Sequence, residues 1–241
     1  MHATPTDQAA FGDAAHNRGL YRDAAQLYKN AAAHGNLDAA LYLSHPPDCL
    51  RADPRPAHWA AARVSLSEPD DVARLLDRLR EAGAAEQAAA LASRAAAHIP
   101  LDHPGGVARL LGALREVGAA EQAAALLRRD PAARVSLDHP GDVAILLDRL
   151  RKAGAAEQAD ALLRRDPAAR VSLDDRDDVA FLLDRLQKPG AAEQAAALAS
   201  RLAEAGLFGL FLQQQASQDR FWFGQEAGGS PSGPWGWDDL D

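Results

Sequence analysis

Histidine and aspartate recur at fixed spacing in this chain, and these residue types ligate metals and move protons. His103 and His139 hold the same place in successive copies of one pattern. Asp102, Asp138 and Asp174 precede a helix start, in the place that Ser67 holds in the first copy. Two histidines sharing an ion would each need a nitrogen about 2.1 Å from it. Equivalent residues of stacked helices sit about 10 Å apart, too far to share one. The histidines therefore read as solvated first-turn residues. The carboxylates read as N-caps, each satisfying an orphan backbone N–H for about 1 kcal/mol. His-Glu-x-x-His, the phosphate-cradling Gly-x-x-x-x-Gly-Lys-Ser/Thr, Gly-x-Ser-x-Gly and Cys-x-x-Cys are all missing. No catalytic residue, metal or cofactor is expected, and the chain reads as a non-enzyme.

A second recurring pair is Glu86-Gln87, Glu121-Gln122, Glu157-Gln158 and Glu193-Gln194. Glu in the first turn of a helix opposes the positive end of its dipole, contributing roughly 0.3–1 kcal/mol. Gln there is placed to hydrogen-bond a neighbouring repeat. Both roles are structural.

These residues belong to a repeat that must position them. Gly-Ala-Ala-Glu-Gln-Ala begins at Gly83, Gly118, Gly154 and Gly190, in steps of 35, 36 and 36 residues. A Leu-Leu pair recurs at Leu75, Leu110, Leu146 and Leu182. Val72, Leu75, Leu76 and Leu79 fall on one face of a first helix, A. The glycine supplies the left-handed residue that ends helix A. A second helix, B, carries Ala88, Leu91, Ala92 and Ala95 on a small inner face. Neither helix can bury its face alone, so neighbours must stack.

Within this fixed frame some positions vary. Arg74, Arg109, Ile145 and Phe181 share the slot before the Leu-Leu pair. One turn on stand Arg78, Ala113, Arg149 and Arg185, and a further turn gives Glu81, Glu116, Lys152 and Lys188. A variable strip beside a constant core is the part of a repeat protein that reads a partner, and Arg with large apolar residues suits such anchors. Drift on a solvated face is the competing reading. Asp160, replacing an alanine of helix B, marks that position as exposed.

Near the N-terminus, Phe11, Gly12, Gly19, Tyr21, Ala24, Tyr28 and Ala31 sit at the spacing of another helical hairpin. Over residues 8–44 the chain resembles tetratricopeptide repeats, although Asn36 stands where that family usually has proline. The later hairpins lack the signature aromatics and are similar to alanine/leucine-rich helical-repeat proteins of filamentous actinobacteria. Abundant Ala and Arg, with three lysines (Lys29, Lys152, Lys188) among 26 basic residues, agrees with a GC-rich genome. The resemblance implies a scaffold and brings no catalytic residue with it.

Between these regions, Ser44-His45-Pro46-Pro47-Asp48 and Asp53-Pro54-Arg55-Pro56 break any helix. This stretch is a linker or a decayed repeat. The decayed repeat is favoured because Ala61-Ala62-Arg63-Val64-Ser65-Leu66 echoes Ala132-Ala133-Arg134-Val135-Ser136-Leu137. Beyond Gly206 the pattern stops. An apolar run, Leu207 to Leu212, leads to Arg220-Phe221-Trp222-Phe223, a Gly/Ser/Pro stretch, and Trp235-Gly236-Trp237-Asp238-Asp239-Leu240-Asp241. Either this tail caps the last hairpin, with Phe221–Phe223 and the terminal tryptophans paired across the turn, or it is an acidic-aromatic motif that inserts into a partner.

The composition fits this organisation. Hydrophobic residues make up 47% but aromatics only 5%, so an Ala/Leu core needs close helix approach. A net charge of −8 argues against a sequence-independent nucleic-acid binder. The single cysteine, Cys49, gives no intramolecular disulfide, and neither a signal sequence nor an apolar run of spanning length is visible. A cytoplasmic setting without membrane contact is therefore expected.

The sequence predicts an all-α, right-handed α-solenoid of two-helix repeats of about 36 residues with an aromatic C-terminal tail. Its parts are a tetratricopeptide-like hairpin at 1–45, a Pro-rich linker or degenerate repeat at 46–63, four hairpins at 64–206, and a capping segment with tail at 207–241. The expected function is an adaptor or scaffold that binds a protein or peptide through Arg74, Arg78, Arg109, Ile145, Arg149, Phe181, Arg185, Trp222, Trp235 and Trp237. The alternative is a regulatory or sensor subunit of a signalling assembly acting through the tail.

Overall fold

Ala and Leu at three- and four-residue spacing, with a glycine closing each run, leave the backbone little choice but short helices joined by tight turns. The computed structural model describes residues 3–44, 53, 55–214, 221–226 and 230–235. Among them are fifteen α-helices, no strand, and one isolated antiparallel bridge between Gln225 and Pro231. His45, Pro46, Pro47, Asp48, Cys49, Pro54 and Trp237 lie outside the described residues. The chain divides into two units, Met1–Val135 and Ser136–Asp241.

The N-terminal unit begins with α1 (Pro5–Asn17), α2 (Tyr21–Ala33), α3 (Leu37–Ser44) and α4 (Arg55–Arg63), each packed on the next. A capping box starts α1: Thr4 Oγ1 accepts from the Asp7 N–H at 3.1 Å, and Asp7 Oδ2 accepts from the Thr4 N–H at 2.9 Å. Gly12 lies under the ring of Tyr28, where a Cβ would come within 2.8 Å. Tyr28 stacks on Tyr42 at 3.9 Å and donates to Asp13 Oδ1 at 2.6 Å. Ala24, Tyr28 and Ala31 are buried as their spacing suggests, whereas Phe11 is 58% exposed.

Two hairpins follow in this unit: α5 (Pro69–Glu81) with α6 (Ala85–His98), then α7 (Pro104–Glu116) with α8 (Ala120–Arg128) and the short α9 (Pro131–Arg134). A helices pack on A helices (α5 on α7) and B helices on B helices (α6 on α8). The C-terminal unit repeats the plan with α10 (Pro140–Lys152), α11 (Ala156–Arg164), α12 (Pro167–Arg170), α13 (Arg176–Leu186) and α14 (Ala192–Glu204), and ends in α15 (Phe208–Gln214). The leucines of the A helices, among them Leu75, Leu76 and Leu79 in α5 and Leu146, Leu147 and Leu150 in α10, are fully buried. Gly83, Gly118, Gly154 and Gly190 turn the chain at φ of +70°, +74°, +70° and +94°.

Three features depart from the sequence expectation. The N-caps of the A helices are Glu68, His103, His139 and Asp175, one residue beyond Ser67, Asp102, Asp138 and Asp174. Proline at N1 fixes the start after residue 68, 103 and 139. Two of the displaced carboxylates instead close a small turn: Ser136 Oγ donates to Asp138 Oδ2 at 2.6 Å, and Ser172 does the same for Asp174. Helix B is also interrupted in the middle copies, where Asp130 and Asp166 adopt φ of +56° and +57° ahead of Pro131 and Pro167. A proline disfavours helical geometry in the residue before it. Finally, α13 stops at Leu186, shorter than its counterparts, because Pro189 cannot continue the ladder.

Candidate functional site

The B helices carry a device that the sequence reading missed. Arg129, the C-cap of α8, donates to the carbonyls of Ala96 and Ile99 at the end of α6, at 3.1 and 2.7 Å. Arg94 of α6 grips the Ala61 and Val64 carbonyls at the end of α4, and Arg201 of α14 grips those of Ala168 and Val171 at the end of α12. A guanidinium fork thus satisfies carbonyls that a helix C-terminus leaves orphaned, with its charge at the negative end of the dipole. Burial among these groups, with Arg134 adding to it, lowers the pKa of Arg129. Gln122 donates to Ser93 Oγ at 3.4 Å, and Gln194 accepts from the Ala168 N–H at 3.2 Å, so these glutamines do link adjacent hairpins. These contacts occupy the B helices, and the variable positions lie along the edge of the A helices.

In the N-terminal unit that edge is internally paired. Arg74 meets Asp71 at 3.2 Å, Arg78 meets Glu81 at 3.1 Å, and Arg109 reaches across from α7 to Asp70 on α5. Arg80 and Glu116 approach to 4.0 Å. Ala113, in the same slot as Arg78, is buried and offers no surface. Asp77 sits among these groups with Oδ1 buried and without a hydrogen-bond partner. Burial raises its pKa, Glu116 and Glu81 add to the effect, and Arg80 opposes it.

The C-terminal unit places different chemistry on the equivalent edge of its own A helices. Asp148, in the register of Asp77, is met by Lys152 at 2.7 Å, Lys188 at 3.4 Å and Arg185 at 3.7 Å. Burial alone would raise its pKa. Hydrogen bonds from Lys152 and Lys188, with the charge of Arg185, bring it below the ordinary value. Arg185 lies over the Phe181 ring at 4.6 Å, and Arg151 donates to the Arg185 carbonyl at 2.6 Å. Ile145, Arg149, Phe181 and Arg185 are all half-buried. The structure therefore joins Phe181, Arg185, Asp148, Lys152 and Lys188 into one cluster. Arg74 and Arg78 remain in separate pairs within α5.

Among the described residues of the tail, Phe221 is the buried anchor, while Trp222 and Trp235 stay exposed. Phe221 is buried edge-on against Phe208 and Phe211, at 5.9 and 5.2 Å. The chain then folds back, with Glu226 N–H donating to the Ser230 carbonyl and Ser232 N–H to that of Gly224. Trp235 Nε1–H donates to the Phe223 carbonyl at 2.9 Å, yet Trp235 is 53% exposed and Trp222 77% exposed.

Among the described residues, no group of three His, Cys, Asp or Glu side chains is placed to hold a metal ion, and no helix is long and apolar enough to cross a membrane. His103 serves as an N-cap, its ring nitrogen accepting from the Gly106 N–H at 3.2 Å. No protein-family description and no curated protein matches the chain. What the molecule shows is an all-helical chain of regularly spaced helices packing in sequence, consistent with a helical repeat.

Proposed function

We propose that this protein is a cytoplasmic helical-repeat scaffold, not an enzyme, that binds a protein or peptide along the edge of its A helices. The observation that carries the reading is the cluster around Asp148. Lys152, Lys188 and Arg185 gather on Asp148 there, with Arg185 also paired to Asp184, beside the half-buried Phe181 and Ile145. Arg and aromatic anchors side by side are the usual hot-spot pairing of an interface. The identical glycines, Leu-Leu pairs and guanidinium forks are accounted for by folding, and the edge is where the copies differ. The finer architecture we propose is a right-handed α-solenoid with a tetratricopeptide-like first hairpin. Residues 46–63 are then the remnant of a further hairpin, since α4 presents its carbonyls to Arg94 as α6 does to Arg129. Replacing Arg74, Arg109, Ile145 and Phe181 together by alanine should abolish capture of the partner from native lysate while leaving the helical circular-dichroism spectrum and melting cooperative. Undiminished capture would refute the assignment of this edge.

A second reading, a regulatory subunit acting through the tail, draws on Trp222, which stays exposed next to the docked Phe221. Trp222→Ala should then weaken partner capture without loosening the tail, whereas Phe221→Ala should loosen it. Capture unaffected by Trp222→Ala would remove this reading.

A further inference from the structure

A cleft of about 350 Å³ opens between α2 and α4, at a place the edge of the A helices does not involve. That volume is within the range of sites that hold small ligands or short peptide segments. Arg22, Gln26 and Lys29 line it from α2, at successive helical turns, and all three are exposed. Trp59 of α4 supplies the opposite wall, half-buried, with Lys29 Nζ 5.7 Å from its ring centroid. Asp53 and Arg55 complete the lining as a closed pair: Arg55 Nε lies 2.8 and 3.0 Å from the two carboxylate oxygens, and a terminal nitrogen lies at 2.7 Å. That side-chain hydrogen bonding from Arg55 holds the Asp53 carboxyl down to about 2, so the pair is charge-neutral at ordinary pH. Among the described residues, neither Arg22 nor Lys29 has a carboxylate partner. In a chain of net charge −8, the cleft therefore keeps two uncompensated cations next to an aromatic face.

The same chain contains a segment of complementary chemistry. Trp237-Asp238-Asp239-Leu240-Asp241 places three carboxylates and two large apolar side chains within five residues. Other acidic runs are built into helix starts, such as Asp70-Asp71 in α5 and Asp177-Asp178 in α13. We propose that the cleft takes the segment Trp237–Asp241 of a second copy of this chain. Its carboxylates would meet Arg22 and Lys29, and a tryptophan or leucine side chain would lie on Trp59. The chain would then self-associate head to tail, because cleft and segment are different surfaces.

The test uses the full chain carrying Asp238→Asn, Asp239→Asn and Asp241→Asn, so that its own segment does not compete. A fluorescein-labelled peptide spanning Pro234–Asp241 is titrated onto it and followed by anisotropy. Micromolar binding is expected. It should weaken roughly tenfold or more in Arg22→Glu/Lys29→Glu, weaken similarly when the peptide aspartates become asparagine, and fall as salt is raised. Both α2 substitutions are at exposed positions, and an unchanged thermal melt confirms the fold. Sedimentation of the unsubstituted chain should show association that increases with concentration and disappears in the Asp→Asn chain. The proposal is overturned by peptide binding weaker than about 1 mM, or by equal binding to Arg22→Glu/Lys29→Glu. A chain that stays monomeric at every concentration while binding the peptide also overturns it, because the segment is then not exchanged between copies.

Discussion

Asp77 in α5 and Asp148 in α10 occupy the same register of one repeated helix, yet their surroundings are opposite. Asp77 faces Glu81 and Glu116 with only Arg80 in opposition, and its carboxyl resists ionisation. Asp148 faces Lys152, Lys188 and Arg185, and its carboxyl ionises readily. The leucines beneath both are fully buried, so the core does not register the change. A duplicated scaffold can therefore exchange Glu81 and Glu116 for Lys152 and Lys188 at one slot of its edge without altering how it folds.

Substitutions in the two units should show how far the scaffold is shared and where it diverges. The guanidinium forks are common to both units and should matter most. Arg129→Ala in the first and Arg201→Ala in the second should each cost about 2–3 kcal/mol in urea denaturation, since each leaves two carbonyls without a charged donor. A loss confined to one unit would show that the scaffolds are not equivalent. The next effect comes from the close approach of A helices. Gly106→Ala drives a Cβ to within 2.9 Å of the Pro69 ring, which cannot rotate away, and should cost about 2 kcal/mol. Gly141→Ala meets the Asp178 carboxylate at 2.5 Å, which can swing aside, and should cost about 1 kcal/mol. Denaturation midpoints with unchanged slopes would check both.

Smaller still are the two aspartates, and here the sign is the test. Asp148→Asn should lose about 1 kcal/mol at pH 7, because Lys152 and Lys188 are themselves well exposed. Asp77→Asn should be neutral or stabilising by a few tenths, since it removes a charge the site disfavours. The pH dependences run oppositely. The Asp148 pKa is depressed in the folded state, so its contribution is present above the ordinary value of 3.8 and lost as pH falls through the folded value. The Asp77 pKa is raised, so its contribution is full below 3.8 and lost as pH climbs through the folded value. Stability measured between pH 3 and 6 should separate the two asparagine variants in opposite directions. Parallel curves would contradict the electrostatic contrast.

Much of the helical plan was legible because it is periodic. The Leu-Leu pairs, the glycines and the first-turn Glu each recur at a spacing that only stacked hairpins explain. The caps were misplaced by one residue because Asp138 and His139 are both able to cap, and only backbone geometry tells which is the last extended residue. The break at Asp130-Pro131 was written in the dipeptide, and the guanidinium forks were written in the recurrence of Arg94, Arg129 and Arg201. Neither was assigned a role from the sequence. At the edge, the sequence showed which positions vary but not their pairing. Lys152 is four residues from Asp148 and within its reach on one helix, but that Arg185 and Lys188 join them depends on how α10 and α13 approach, which spacing along the chain does not encode.

The variable edge of the A helices is the proposed binding surface. A photoreactive amino acid placed at Ile145 and at Phe181, with Ala124 and Ala196 on exposed faces of α8 and α14 as controls, tests it most directly in native lysate. The account predicts that both edge positions crosslink the same partner and that neither control does. Crosslinks of equal yield at the controls, or none at the edge, would contradict it.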